Sequence, residues 1–593
     1  MAIEASGWLL QLYQSAVFPK VIVVFSDLNI WSLTRGELPA IPRYGRAQFD
    51  HGGDRQSIKF QGAVEEMMAI RTWARPLSAW RIFIAIFVGL FAMPFSSALG
   101  QGAGAQIEEP PIPKGVDVFD LNLEQTRALS RSLNFNIVGH SYLKGPWLTA
   151  KGKANGTGVG LNSVYVHDGI AYLSGYSDPP AFFGNLIVDV HNPKDMKVLS
   201  FIPCEPGARC TYQRVNINRH ILVTGASPGM PNAIDANPIQ PRGGRANARA
   251  GLSFTDVSNP RRPQPLGFFL TTMGGATHDF AIDDNYVYAC ASMPESKQPG
   301  VAHQEVVIID YRDPRNPKLA GRLHLPGQHV GEEPGVRDRL NPDGTPQKVW
   351  CQQITLHKNR LYVGWRDAGL VIVDVNDPSK PKILGQLDYV PPFNGGAMGA
   401  AHSAVPVVVD PNAYPDLVVL TDESFDCPPG IGRIVDVSDL KNPEVEKGLR
   451  DANLQIISSY RIPHVSDVYD FDKGKFKCLT SPKDAGLDPE HKGGQQSVHF
   501  PWFDHRSPSL FYQTWYDQGL RVWDISNPFL PREVGYYLPP KYASWGYVDR
   551  QTREVFQDPD TNLIYVTDGN GGGLTVLEWT GPIPKHPPIP GAR

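Results

Sequence analysis

The chain has 593 residues, of which 41% are hydrophobic and 20% charged, with a formal net charge of −4. No basic run recurs along it, so nothing supplies the positive face that a nucleic-acid partner needs. Glycine (57) and proline (54) are both abundant, as a large soluble domain of strands and turns requires.

In chain order, residues 1–66 carry no repeating pattern and read as an extension, either non-native or disordered. From Met67 the character changes: Arg71, Arg75 and Arg81 lead into an apolar run over residues 82–95, and Ala98 and Gly100 close it in an A-x-G pattern. That is a signal-peptide layout over residues 67–100, and the apolar run is short for a membrane span. The expected start is then Met67 or Met68, the expected location periplasmic or secreted, and the mature chain is expected to have no membrane span. Residues 101–133 read as a linker followed by a short helix near "LEQTRALSRSL".

From residue 134 to 582 one pattern dominates. "LVIVDVNDPSKPKILGQL" (370–387) reads as an apolar strand, an Asp, a Pro-containing turn and a second strand, and five other stretches repeat it, beginning at Asn185, Leu252, Val306, Arg433 and Leu520. Their spacing of about 55 to about 90 residues suits propeller blades with inserted loops. Upstream of each lies another strand pair around a tight turn, as in "ITLHKNRLYVGW" (354–365). Seven such hairpins occur, the last of them before "LTVLEWTGP" (574–582), which has no outer strand after it. "FNIVGHSYL" (135–143) has the pattern of the missing strand. The expected fold is all-β, a seven-bladed β-propeller with four-stranded blades whose last blade is closed by an N-terminal strand, leaving no open sheet edge. Residues 583–593 form a Pro-rich tail.

The repeated Asp (Asp189, Asp256, Asp310, Asp374, Asp436 and Asp524) invites a catalytic reading. Its place just before a D/N-P turn favours structure, because a short carboxylate there accepts backbone N–H groups. In the seventh blade Glu578 takes that position, where no such turn follows.

These six copies resemble the LVIVD repeat family of bacterial β-propellers, and "LRVWDISNPFLPREVGYYL" (520–538) is also similar to blades of the selenium-binding protein and methanethiol oxidase family. The first resemblance implies a fold. The second implies methanethiol oxidase-like chemistry.

Six cysteines in an exported chain point to disulfides. Cys204 and Cys210 are close enough to staple a loop, while Cys290, Cys351, Cys427 and Cys478 can form two more bridges in any pairing. Two familiar patterns are set aside: "GASPG" (225–229) leaves a strand without leading into a helix, and "GNGGG" (569–573) precedes a strand and so is a hairpin loop, not a phosphate cradle.

Aligning the seven hairpins puts Asn162, Tyr212, His278, Gln352, His402, His499 and Arg553 at one position, where the innermost strands begin and face the central channel. Glycines precede the three histidines in "GGATHDF", "GAAHSA" and "GGQQSVHF". His278, His402 and His499 are expected to converge as ligands of a transition metal (Cu, Zn or Fe) with an open position. Gln352 and Arg553 are expected near that open face. The long connections 326–350 and 461–496 enter at the same end and carry His329, Glu332, Glu333, His464 and Asp467, each a candidate base or fourth ligand, with Glu332 and Glu333 counted with Gln352 and Arg553 as the expected catalytic residues. The blander alternative is a polar ring that merely hydrates a channel. Two functions follow: a metal-dependent, oxidoreductase-like enzyme acting on a small-molecule substrate, or a non-catalytic propeller that binds a protein or cell-surface polymer, anchored by Trp350, Trp502 and Trp545.

Overall fold

The apolar segments that end in Asp each form the third strand of an antiparallel blade, four-stranded everywhere but in blade six, where the chain N-terminal to the ring adds a fifth. In the fourth sheet Leu370, Val371, Ile372 and Val373 are all buried, on both faces, because neighbouring sheets cover both. A continuous apolar run replaces strict alternation for that reason. The computed structural model describes residues 107–588, apart from 149–155, 177–182, 229–247, 299–300, 303, 330, 334, 341–345, 390–399, 425–428, 463–467, 471–474, 478–496 and 542–549. The signal-peptide reading, Cys427, Cys478, His464, Asp467 and Trp545 lie outside the described residues.

Seven sheets surround a common axis, with innermost strands Ser163–His167, Arg209–Asn216, Thr277–Ile282, Gln353–His357, Ala401–Pro406, Pro501–Phe503 and Thr552–Gln557 for blades one to seven. The core lies between blades. Val306 and Ile308 of blade three, for example, pack with Leu361, Val363 and Val371 of blade four. Each such side chain contributes about 1.5–3 kcal/mol when fully buried.

The turn after each third strand is built as expected. The carboxylates of Asp189, Asp256, Asp310, Asp374, Asp436 and Asp524 each accept the backbone N–H two residues on, at 2.8–3.2 Å. The carbonyl of the proline in that turn then abuts the outer strand of the preceding blade. A Cβ on Gly139, Gly267 or Gly321 would lie 2.0–2.4 Å from the carbonyl oxygen of Pro193, Pro314 or Pro378. Where the outer strand carries Ser instead, Ser200 and Ser458 donate to the carbonyls of Pro260 and Pro528. Blade seven has no such turn, and Gly535 of blade six faces Trp579 instead.

The glycine in "ILGQL"-type strands is therefore a blade-to-blade contact. Gly321→Ala should cost about 3 kcal/mol, since neither backbone can yield to an overpacked methyl. A lowered urea midpoint at an unchanged slope is the expected reading, and a midpoint equal to wild type would refute the contact.

Ring closure follows the expectation from the sequence. Phe135–Ser141 pairs antiparallel with Gly573–Trp579, Phe135 opposite Trp579 and Ser141 opposite Leu574, as the outer strand of blade seven. The segment before it is more structured than a linker. Asn122 and Gln125 form a reciprocal cap on the helix Leu123–Leu129, and Arg131–Leu133 adds a fifth strand to blade six by pairing with Arg532–Leu538.

Cys204 and Cys210 are bonded, as expected. Cys290 is bonded to Cys351, joining the second strand of blade three to the start of blade four. Among the described residues, no helix is long and apolar enough to cross a membrane.

Candidate functional site

Two local devices aim side chains at the axis. The first is a bulge near the start of four inner strands, where two residues oppose one: Thr211 and Tyr212, His278 and Asp279, His402 and Ser403, Arg553 and Glu554. A bulge re-aims the side chains it carries. The register makes Thr211, rather than Tyr212, the equivalent of His278 and His402, although the Tyr212 ring still lies 5.3 Å from that of His278. Gly364 admits the His402 backbone, since a Cβ there would meet the His402 carbonyl oxygen at 1.9 Å.

The second device was missed in the sequence. It is the residue two places past the second strand's last residue paired with the third strand, which is Arg366 in blade four, Glu423 in blade five and Tyr516 in blade six. Arg366 and Tyr516 are tied to the next blade's inner strand, Arg366 N to Ala401 O and Thr552 N to Tyr516 O at 3.0 Å, whereas Glu423 N donates to Ala400 O at 2.9 Å, just before its own blade's inner strand. Arg366 and Tyr516 sit at φ of 42° and 37°, a left-handed conformation that costs a non-glycine residue free energy and that packing must hold in place. The available signal was the recurrence of "WRDAGL" (365–370) and "WYDQGL" (515–520), a Trp-x-Asp-x-Gly-Leu pattern with the functional residue at x.

These residues meet at one buried centre. His402 Nε2 lies 3.4 Å from Glu423 Oε2, and His499 Nε2 lies 3.9 Å from Glu423 Oε1. One ligating atom from each of the three falls within 4.8 Å of the others. Both imidazoles are oriented from behind. His499 Nδ1 donates to the Arg553 carbonyl at 2.5 Å. His402 Nδ1 donates to Ser403 Oγ at 2.7 Å, because that hydroxyl spends its own proton on the His499 carbonyl. Each Nε2 is thus left with a bare lone pair, and that of His402 is buried without a hydrogen-bond partner.

His278 reaches the same centre, its ring 6.3 Å from that of His402, but its nitrogens are committed. Nδ1 donates to the Gln352 carbonyl and Nε2 accepts from the Gln352 amide, both at 2.8 Å. The amide cannot turn over, since its oxygen accepts from Trp350 Nε1 and Arg366 Nε. Of the three expected histidine ligands, two present free lone pairs to one point, and Glu423 stands where His278 was expected.

Burial sets the charges. It pushes His278 down to about 3 and His499 down to about 4, and holds His402 well below its ordinary value, so all three imidazoles are neutral near pH 7. Burial also opposes charge on Glu423, yet with both imidazoles neutral the Arg366 guanidinium and the Tyr516 hydroxyl still hold its carboxyl below the usual range. Arg366 Nη2 donates to Glu423 Oε2 at 2.8 Å, and the Tyr516 hydroxyl donates to Oε1.

The second residue of two bulges builds a separate buried group. Arg214 Nη2 lies 2.9 Å from Asp279 Oδ1 and 3.6 Å from Glu554 Oε1. Burial pushes Glu554 up to about 8. A carboxyl whose folded value lies above its unfolded one favours folding most below about pH 4.5, and that contribution is lost as pH rises through 8. Glu554→Gln should therefore flatten the loss of stability between pH 5 and 8, by roughly 1.4 kcal/mol per pH unit. Parallel slopes for wild type and variant in urea unfolding would contradict this.

The other expected site residues divide between the centre and the 326–350 connection. Gln352 and Arg553 do border the centre, the latter over the Tyr516 ring at 5.3 Å. Glu332 instead bonds His324, in a second cluster on the 326–350 connection, and Glu333 on the same connection is exposed.

Seven antiparallel sheets around this polar centre define a seven-bladed β-propeller. Its blades carry LVIVD repeats: the LVIVD repeat model matches residues 351–388, all of blade four, and 515–538 in blade six. No curated protein matches the chain, and similarity to the selenium-binding protein family is not among these findings. Solved structures that resemble it include the RRP9 WD40 repeats (8% identity, 76% of this chain, 98% of that chain, TM-score 0.43). Others are the periplasmic gluconolactonase PpgL of Pseudomonas aeruginosa (12%, 70%, 90%, 0.42) and the Cps50 propeller of Myceliophteria thermophila (10%, 71%, 97%, 0.40).

Proposed function

We propose that His402, His499 and Glu423 hold a transition metal ion (Cu, Zn or Fe) and that the chain is an exported, metal-dependent enzyme, oxidoreductase-like, acting on a small molecule. One observation carries this reading: the lone pair of His402 Nε2 is buried, has no hydrogen-bond partner and points with His499 Nε2 at one carboxylate. Two neutral imidazoles and a carboxylate form a donor set that such ions accept. When bound, the ion would supply Lewis acidity or a redox couple at that point.

The surrounding residues have definable tasks. Ser403 and the Arg553 carbonyl orient the two imidazoles, as outer partners of ligating histidines do. His278 and Gln352 fix Arg366, which in turn fixes Glu423. Arg366 and Arg553 outweigh Glu423 in charge, so the centre favours an anionic substrate or one bearing an oxygen or sulfur donor.

The two disulfides are compatible with an oxidising compartment, which supports export. The docking-module alternative has less to stand on, since Trp350 is buried against Gln352 and Trp502 packs on Phe556 at 4.8 Å.

Metal per chain tests the reading when it is measured in chains that also carry His324→Ala and His329→Ala, so that the cluster on the 326–350 connection contributes none. In that background the otherwise unchanged chain should hold one ion, His402→Ala and His499→Ala should lose at least nine-tenths of it, and His278→Ala should keep most. Sub-stoichiometric metal in the background chain after loading with Cu, Zn and Fe salts would overturn it.

A further inference from the structure

Away from the axis, a second set of metal-ligating side chains gathers where the long 326–350 connection leaves blade three. Glu305 opens the third strand of that blade (Glu305–Asp310) and is fully buried. His324 directly follows its outer strand Lys318–Leu323, and His329 and Glu332 lie on the connection. Two pieces of chain thus contribute to one point, the third strand of the blade and the stretch that leaves its outer strand.

The imidazoles of His324 and His329 stack face to face, with centroids 3.7 Å apart and planes 15° from parallel. Both address one oxygen: His329 Nε2 lies 2.6 Å and His324 Nδ1 4.0 Å from Glu305 Oε2. That oxygen and the two nitrogens fall within 4.8 Å of one another. The other Glu305 oxygen accepts from Arg322 Nε at 2.6 Å, which fixes the carboxylate. His324 Nε2 donates to Glu332 Oε1 at 2.7 Å, leaving Nδ1 as the lone pair that faces Glu305. A carboxylate behind an imidazole, with the imidazole's other nitrogen turned toward a further donor, is the outer-shell arrangement of zinc-type sites.

We propose that Glu305, His324 and His329 form a second cation site, for a zinc-like divalent ion, with Glu332 as the positioning residue behind His324. Two imidazoles and one carboxylate leave a fourth position for water. Such an ion would clip the 326–350 connection to blade three, taking the place of the His329 hydrogen bond to Glu305. Nothing in this depends on the central cluster.

The test uses the full chain carrying His402→Ala, so that binding at the centre cannot be mistaken for binding here. Titration calorimetry with Zn2+ should find one saturable site, and Co2+ should bind at the same stoichiometry with visible d–d bands. Adding His324→Ala and His329→Ala together should abolish that site. Glu332→Gln should weaken Zn2+ by about 10-fold to 100-fold while keeping the stoichiometry, which a merely structural loop contact would not do. Zn2+ should also slow proteolysis within the connection. If the triple variant folds poorly, His402→Ala with His329→Gln alone serves the same purpose. Absence of saturable Zn2+ binding in the His402→Ala chain, or binding that survives loss of both histidines, would overturn the proposal.

Discussion

A chain lacking residues 115–143 is expected to be insoluble or to assemble through blade seven. The deletion removes Phe135–Ser141 and strips the outer edge of Gly573–Trp579 from Leu574 to Trp579. An unpaired edge of that length is a template for another chain. The deletion also takes away the Phe135 ring, which lies 5.0 Å from Trp579, and the Gly139 contact that seats blade seven against the Pro193 turn of blade one. Phe135 and Ile137 are both buried, so their loss exposes core as well as edge. Size-exclusion chromatography and urea unfolding of the deletion check this. A soluble monomer that unfolds in one cooperative step would show that the N-terminal strand does not close the ring.

Most of the fold was legible because it is written several times. Six copies of one turn fix the third and fourth strands, and the hairpin turns upstream fix the first and second. The closing strand was found because residues 135–143 match a partner that blade seven lacks. The purpose of the outer-strand glycine was not legible, since its contact is with a proline carbonyl one blade away, as for Gly267 with Pro314 and Gly321 with Pro378. The centre was half legible. Histidines at matching hairpin positions announced His402 and His499, whereas Arg366 and Tyr516 share a spacing that names no common chemistry, and Glu423 leaves its strand into a loop without that pattern. Only the folded ring brings those three together. His278 shows the opposite limit: its position in the ring was read correctly, but its engagement by Gln352 depends on where Trp350 and Arg366 point.

Glu423→Gln is expected to lose both metal and stability, and the two losses can be separated. Arg366 has no exposed side-chain surface and its Nη2 rests on Glu423 Oε2 at 2.8 Å. Replacing the carboxylate by an amide keeps the shape but leaves that guanidinium as a buried charge without a counter-charge, which costs about 3–5 kcal/mol. The amide is also a poor donor to Cu, Zn or Fe, so metal at the centre, counted in a His324→Ala, His329→Ala background, should fall at least tenfold. Tyr516→Phe removes one hydrogen bond to the same carboxylate and keeps its charge; it should cost about 1–3 kcal/mol and retain the ion. Removing both charges together, as Arg366→Met with Glu423→Leu, should recover much of the stability, because a buried pair replaced by apolar side chains of similar volume is often neutral. That double variant should still bind no metal at the centre. Urea unfolding and metal analysis on the four proteins give the answer: a Glu423→Gln chain with wild-type stability would remove the buried ion pair from the account, and one with undiminished metal would remove Glu423 from the ligand set.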